Sequence, residues 1–361
     1  MKYMTHPRIM LPVVLLVLAA LATSALAADF EKDFTFNGDE LTISNLIGKV
    51  DVRPTSADQI RVSVMVRGDD ARQELIEFEI NEGAKAELHI NFPIDDHKKY
   101  VYPELGSGSK TSISYHGDDQ GGSWLKKVFG RNKITVRGKG SGLELWADVV
   151  VEVPRGRKLE VKLGVGEIEA AEVQADLVLD INSGAISASN IEGDLLADTG
   201  SGRVTVVDVD GNVHVDTGSG KVDLENCRGE SIYVDTGSGS VKGDILICEK
   251  LTIDTGSGSV RASGVTADAA TIDTGSGSVF LQLDSMGTGR FLLDTGSGSI
   301  VLELPDDASA RITADTGSGS MNNELRGAIV KNMGRREMTL EVGDGEARVT
   351  LDAGSGSITV R

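Results

Sequence analysis

One pentapeptide recurs too regularly for an ordinary globular chain. Asp-Thr-Gly-Ser-Gly begins at Asp198, Asp216, Asp235, Asp254, Asp273, Asp294 and Asp315, at intervals of 18, 19, 19, 19, 21 and 21 residues. Degenerate copies carry the register back to Asp180 and Lys162 and forward to Asp352. Three residues before each aspartate, and again one before, stand apolar side chains such as Leu195 and Ala197, Ile232 and Val234, or Phe291 and Leu293. The position between them varies, with His214, Tyr233, Thr252 and Thr271. Such alternation marks a strand with one buried face. Six and eight residues after the aspartate come Val204 and Val206, Val222 and Leu224, Val260 and Ala262, a second strand of the same kind. A weaker apolar position follows at eleven, with Ile191, Val209, Cys227, Leu246 and Val265.

A unit this short cannot bury its own face, so neighbouring units must stack. The period therefore predicts an all-β chain, a parallel β-solenoid with one coil of 18–21 residues per repeat, rising about 4.8 Å per coil. Parallel crossovers are overwhelmingly right-handed, which predicts a right-handed β-helix. The repeats occupy residues 156–321, and residues 322–361 break the period and read as a C-terminal cap with a last coil. Residues 28–155 lack the pentapeptide but alternate like strands, as a β-rich N-terminal unit that covers the open end of a solenoid. Within that unit, residues 95–142 read as a loop insertion, because Gly106 to Ser109 and Gly117 to Ser123 have flexible compositions.

Residues 1–27 have the form of a secretory signal peptide: Lys2 and Arg8, an apolar run from Leu11 to Ala22, and Ala25-Leu26-Ala27 for cleavage. Its removal takes two positive charges and no acids, moving the net charge from −19 to −21. So acidic a chain would repel nucleic acid. After residue 27 no apolar stretch approaches the ~20 residues needed to cross a bilayer. The expected location is the periplasm, the cell surface or the medium. Only 15 of 361 residues are aromatic, which fits thin repetitive packing better than one large core. Five histidines and two cysteines leave little for a His or Cys metal cluster.

The repeated Asp-Thr-Gly-Ser also matches the catalytic loop of aspartic proteases, which needs two such aspartates sharing one proton. Stacked coils make a column of aspartates and no such pair. The residues have structural uses instead. Asp can accept hydrogen bonds from the backbone N–H groups after it. Thr can bond to the Thr of the next coil, and Gly supplies positive φ at a tight corner. Carboxylates about 4.8 Å apart repel by about 0.9 kcal/mol even in water. Raised pKa values, or a bound cation such as Ca²⁺ along Asp198, Asp216, Asp235, Asp254, Asp273, Asp294 and Asp315, would relieve that repulsion.

Two other features stand apart. Lys126, Lys127, Arg131, Lys133, Arg137 and Lys139 form a basic stretch, with Trp124 and Phe129, in an acidic protein. It reads as a solvated loop or as a contact for an anionic envelope polymer or lipid headgroup. Cys227 and Cys248 fall in adjacent coils with registers two positions apart, which allows either a disulfide or buried free thiols.

Leu41-Thr42-Ile43-Ser44-Asn45, Gly48-Lys49-Val50-Asp51-Val52, Val151-Glu152-Val153-Pro154-Arg155-Gly156 and the Ser-Gly-Ser-Val units at 238–241, 257–260 and 276–279 together carry a resemblance. In order and period the chain resembles the bacterial putative-adhesin family, exported β-solenoid proteins otherwise described as a domain of unknown function. The resemblance covers nearly all of the chain after residue 27, with 95–142 the main departure, and it supplies no catalytic residues. The expected function is a non-enzymatic exported adhesin or envelope scaffold that binds an envelope component or surface polymer. The rivals are a polysaccharide-active β-helix enzyme and a Ca²⁺-dependent extracellular binding module.

Overall fold

The repeat sets the architecture of the computed structural model, which describes residues 29–114 and 133–361. Among those residues there is no α-helix, and none is long and apolar enough to cross a membrane. Each coil contributes one strand to each of two columns, and like residues stack on like. In the first column Leu177, Leu195, Val213, Ile232, Leu251, Ala270 and Phe291 follow one another in parallel register. In the second the sequence is Ile168, Ile186, Val204, Val222, Val241, Val260, Val279 and Ile300. All of these side chains are buried, so the apolar positions read from the period form the core.

A third inward position escapes that reading. The alternation continues past the aspartate, which faces out, to the threonine, which faces in. Thr199, Thr217, Thr236, Thr255, Thr274, Thr295 and Thr316 are at most 1% exposed. They do not bond to one another as expected. The hydroxyl of Thr255 donates to the Gly239 carbonyl (3.1 Å), Thr274 to Gly258 (2.9 Å) and Thr295 to Gly277 (2.7 Å). Each bond ties a coil to the turn of its neighbour, which removes most of the cost of burying a hydroxyl.

The glycine that accepts this bond is required by proximity and not, in most coils, by φ. A Cβ on Gly258 would lie 1.9 Å from the Gly239 carbonyl oxygen, and one on Gly277 would lie 2.0 Å from that of Gly258. Neither glycine has a φ in the left-handed range. The left-handed corner lies elsewhere, at Glu172, Asn190, Asp208, Asn226, Ile245 and Gly264, with φ between 50° and 64°. Asn, Asp and Gly suit that backbone. Ile245 does not, and its side chain stands 47% exposed.

The two ends depart from simple chain order. Strand Glu40–Thr55 lies directly on Lys158–Ala171, so the first coil is built from residues far apart in sequence. At the other end, the final strands do not sit outermost. Val349 pairs with Phe291 on one side and Ile312 on the other, and Ile358 lies between Ile300 and Met321. The last coil is thus intercalated between the coils of Asp294 and Asp315.

Residues 95–142 are less of a loop than their composition suggests. Lys99–Val101, Lys110–Ser114, Lys133–Arg137 and Leu143–Glu144 form a small separate sheet. Its Tyr100, Tyr102, Ile113, Ile134 and Val136 are buried in the same core cluster as the coils. Ile113 reaches Gly164, whose added Cβ would lie 3.0 Å from its Cδ1. Rings lock the contact: Tyr102 meets Trp146 edge-on at 5.7 Å and Phe92 meets Tyr100 at 6.0 Å. The signal peptide expected at 1–27 lies outside the described residues.

Two substitutions test these assignments in denaturant melts. Gly258→Ala should destabilise by about 3 kcal/mol, because a methyl group there forces adjacent backbones apart. Ile245→Asn should stabilise by about 1 kcal/mol, since it relieves a left-handed β-branched residue.

Candidate functional site

The aspartates read from the repeat stand in single file on the outer face of the first column. Their spatial order is Asp180, Asp198, Asp216, Asp235, Asp254, Asp273, Asp294, Asp352 and Asp315, with Lys162 beside Asp180. They do not cap the turn that follows, because its amides are already used. Gly256 N–H donates to the Thr236 carbonyl and Gly275 N–H to that of Thr255, both at 3.1 Å. Side-chain capping occurs at another corner, where Asp176 accepts from the N–H of Asp194 (3.0 Å) and Asp194 from that of Asn212 (2.9 Å).

The crowding of like charges is felt. Burial first, and then the neighbouring carboxylate, hold Asp198, Asp216, Asp254 and Asp294 above the ordinary aspartate range. His214 partly offsets this at Asp198 and Asp216. A file one carboxylate wide does not gather the six or more oxygens that Ca²⁺ takes. Among the described residues no group of three or more His, Cys, Asp or Glu is placed to hold a metal ion.

Beside the aspartates runs the variable outward row. Val178, Leu196, His214 and Tyr233 line a shallow groove of about 330 Å³. The His214 and Tyr233 rings lie 4.6 Å apart, and the Tyr233 hydroxyl donates to Asp235 at 3.3 Å. Phe280, also outward by register, carries the Arg261 guanidinium 4.1 Å above its ring. These aromatics are scattered over the face and line no cleft.

The strongest local contrast is the small sheet. Of the basic residues singled out in the sequence, Lys133 and Lys139 are exposed and Arg137 is half-buried on or beside it. Trp124, Lys126, Lys127 and Arg131 lie outside the described residues. Register adds cations that sequence reading missed: Lys110 stands opposite Arg137, and Lys99 opposite Thr135. Lys98 is tied down by donating to the Ile94 carbonyl. The Arg137 Nε is buried and finds no hydrogen-bond partner among the described residues. Acids border the patch at Asp69, Asp70 and Glu144, where burial and the two aspartates push Glu144 up.

The family model Toastrack DUF4097 matches residues 39–361, the span that holds both columns, the small sheet and the intercalated last coil. The chain belongs to the Toastrack DUF4097 family. No curated protein matches it. Among solved structures it is similar to a putative cell adhesion protein from Clostridium sporogenes, with 11% identity over 92% of this chain and 99% of that one, at a TM-score of 0.18. So loose a superposition carries no argument.

In this Toastrack chain Cys227 and Cys248 are free thiols, both buried. The two-position offset is present: Cys227 lies opposite Leu246 and Cys248 opposite Gly229. Burial pushes Cys227 up to about 12 and Cys248 up to about 11, so neither is a nucleophile at neutral pH.

The aspartate column predicts an unusual pH response. A carboxylate whose pKa is raised by folding favours the folded state as it takes up its proton. Stability should therefore rise as pH falls from neutrality through the raised values of Asp198, Asp216, Asp254 and Asp294. It should fall again at lower pH, where carboxylates held down by cations, such as Glu40 beside Lys85, become protonated. Asp254→Asn should stabilise the Toastrack solenoid by about 0.5 kcal/mol at neutral pH, with the gain shrinking in molar salt. Thermal melts over pH and salt check both.

Proposed function

We propose that this protein is a non-enzymatic, exported β-solenoid that acts as an adhesin or envelope scaffold and binds an anionic surface polymer on its small basic sheet. The observation that carries the reading is the segregation of charge. On a chain of net charge −19, Lys99, Lys110, Lys133 and Lys139 stand exposed together on or beside one sheet. That sheet is anchored from below by Tyr100, Tyr102, Ile113, Ile134 and Val136. A patch held by the core pays little ordering entropy on binding. Its positive potential draws a polyanion, while the aspartate column repels the same polymer from the coil wall.

The arrangement of acids supports a binding role over the polysaccharide-cleaving one. A glycosidase sets two carboxyl groups across a cleft from each other, with unequal pKa values. Here the carboxylates stand in file on an open face, and the thiols are sealed in the core. Export rests on the signal-like pattern of residues 1–27.

Deleting 95–142 would be a poor test, because it would strip buried side chains from the core. Charge reversal keeps the fold: Lys99→Glu, Lys110→Glu and Lys133→Glu combined should lower binding to isolated envelope fractions at least about tenfold in low salt, with the circular dichroism unchanged. Undiminished binding would move recognition to the solenoid faces. Failure of the unaltered protein to bind, or release of reducing sugar from a polysaccharide panel, would overturn the proposal.

A further inference from the structure

The first column of strands ends in two edges of opposite character. At the N-terminal end the outermost strand is Glu77–Asn81, paired only to Lys85–Asn91 among the described residues. At the other end it is Ile329–Met333, paired only to Glu337–Val342. Each is five residues long. Among the described residues, five large hydrophobic side chains are exposed, and four of them lie on these two strands: Ile80 at one edge and Ile329, Val330 and Met333 at the other. A long column has no packing reason to gather its exposed apolar groups at its two ends.

We propose that copies of this chain join head to tail, the Ile329–Met333 edge of one copy adding as a strand to the Glu77–Asn81 edge of the next. The inference concerns a different surface from the basic sheet and does not rest on the function proposed above.

Charge selects the partner. Residues 72–82 carry Glu74, Glu77, Glu79 and Glu82 against Arg72, a net of −3, and the four glutamates are exposed. Residues 324–337 carry Arg326, Lys331, Arg335 and Arg336 against Glu324 and Glu337, a net of +2. Lys331 is engaged within its own hairpin, 3.4 Å from Glu341, but the three arginines are exposed. Head-to-head contact would set acid against acid and tail-to-tail contact cation against cation, both unfavourable. Only head-to-tail contact opposes unlike charges.

Strand direction agrees. Glu77–Asn81 runs antiparallel to Lys85–Asn91, which is parallel to the coils, so the head edge runs against the coils. Ile329–Met333 is antiparallel to Glu337–Val342, itself antiparallel to Ala310–Ser318, so the tail edge runs with them. Copies sharing one orientation therefore meet as an antiparallel pair, the pairing that is slightly more stable per residue. A heterologous contact of this kind repeats without closing and builds a linear file. The register shift between Val330 and Asn332 and the shortness of both strands keep each link weak, in line with the usual protection of sheet edges.

Sedimentation velocity of the purified protein in low salt, over a range of concentrations, tests this. The expected result is mass that grows with concentration beyond a dimer, and linear files by negative-stain electron microscopy. Glu77→Lys with Glu79→Lys, or Arg335→Glu with Arg336→Glu, should each weaken association at least about tenfold. All four substitutions in one chain should restore it. Val330→Lys, a surface change, should weaken it without altering the melting temperature. A monomer at every concentration would overturn the proposal. So would association indifferent to the charge reversals, or growth that stops at a dimer.

Discussion

Neighbouring backbones meet at the repeated turn with no room for a side chain. A Cβ on Gly239, Gly258, Gly277 or Gly298 would come within about 2 Å of the carbonyl of the coil before it. Sheet hydrogen bonding fixes that separation, so the position must be glycine in every coil, and the rest of the motif inherits its strict register. Once glycine sits on glycine, threonine sits on threonine and aspartate on aspartate. Most of the threonines gain from this: the hydroxyls of Thr199, Thr255, Thr274, Thr295 and Thr316 reach a turn carbonyl next door, while those of Thr217 and Thr236 find no partner among the described residues. The aspartates do not, and their mutual repulsion is the cost of a turn that cannot vary.

Much of this was legible in the sequence, and the exceptions have physical causes. The columns of Leu195 and Val204 follow directly from a two-residue alternation repeated at constant period. The same alternation, carried two residues further, points the threonine inward. The sequence suggests a bond to the threonine of the neighbouring coil, but the partner in most coils is a turn carbonyl supplied by that coil's glycine. Backbone freedom is the local reason a sequence offers for glycine; the contact that requires it at Gly258 is with Gly239, nineteen residues away. Conversely, the left-handed corner at Asn190, Asp208 and Asn226 has the residue types that announce it, and Ile245 conceals it in the next coil.

The candidate surfaces were less legible for a related reason. The basic run through Lys133, Arg137 and Lys139 is contiguous and easily found. Lys99 and Lys110 join it only through strand register, after intervening Gly- and Ser-rich segments that read as loop. Tyr100, Ile113, Ile134 and Val136 are too few per segment to signal a sheet on their own, yet together they pin it to the coils. The Toastrack match spans these parts along with the repeats, which is why the acidic wall and its basic attachment are best understood as one molecule.

The intercalated last coil bears on how the molecule can be assembled. A solenoid laid down in chain order could grow one coil at a time as it emerges from a ribosome or a translocation pore, each new coil settling on a finished surface. Here the surface offered by Phe291 and Ile300 is not covered by the coil that comes next in sequence, but by residues 347–360. The coil of Asp315 must wait, held off or loosely docked, until those residues arrive to separate it from Asp294. Completion is therefore a single late event at the tail of the stack, and a chain cut short before residue 347 loses a layer from within its structure and not from its end.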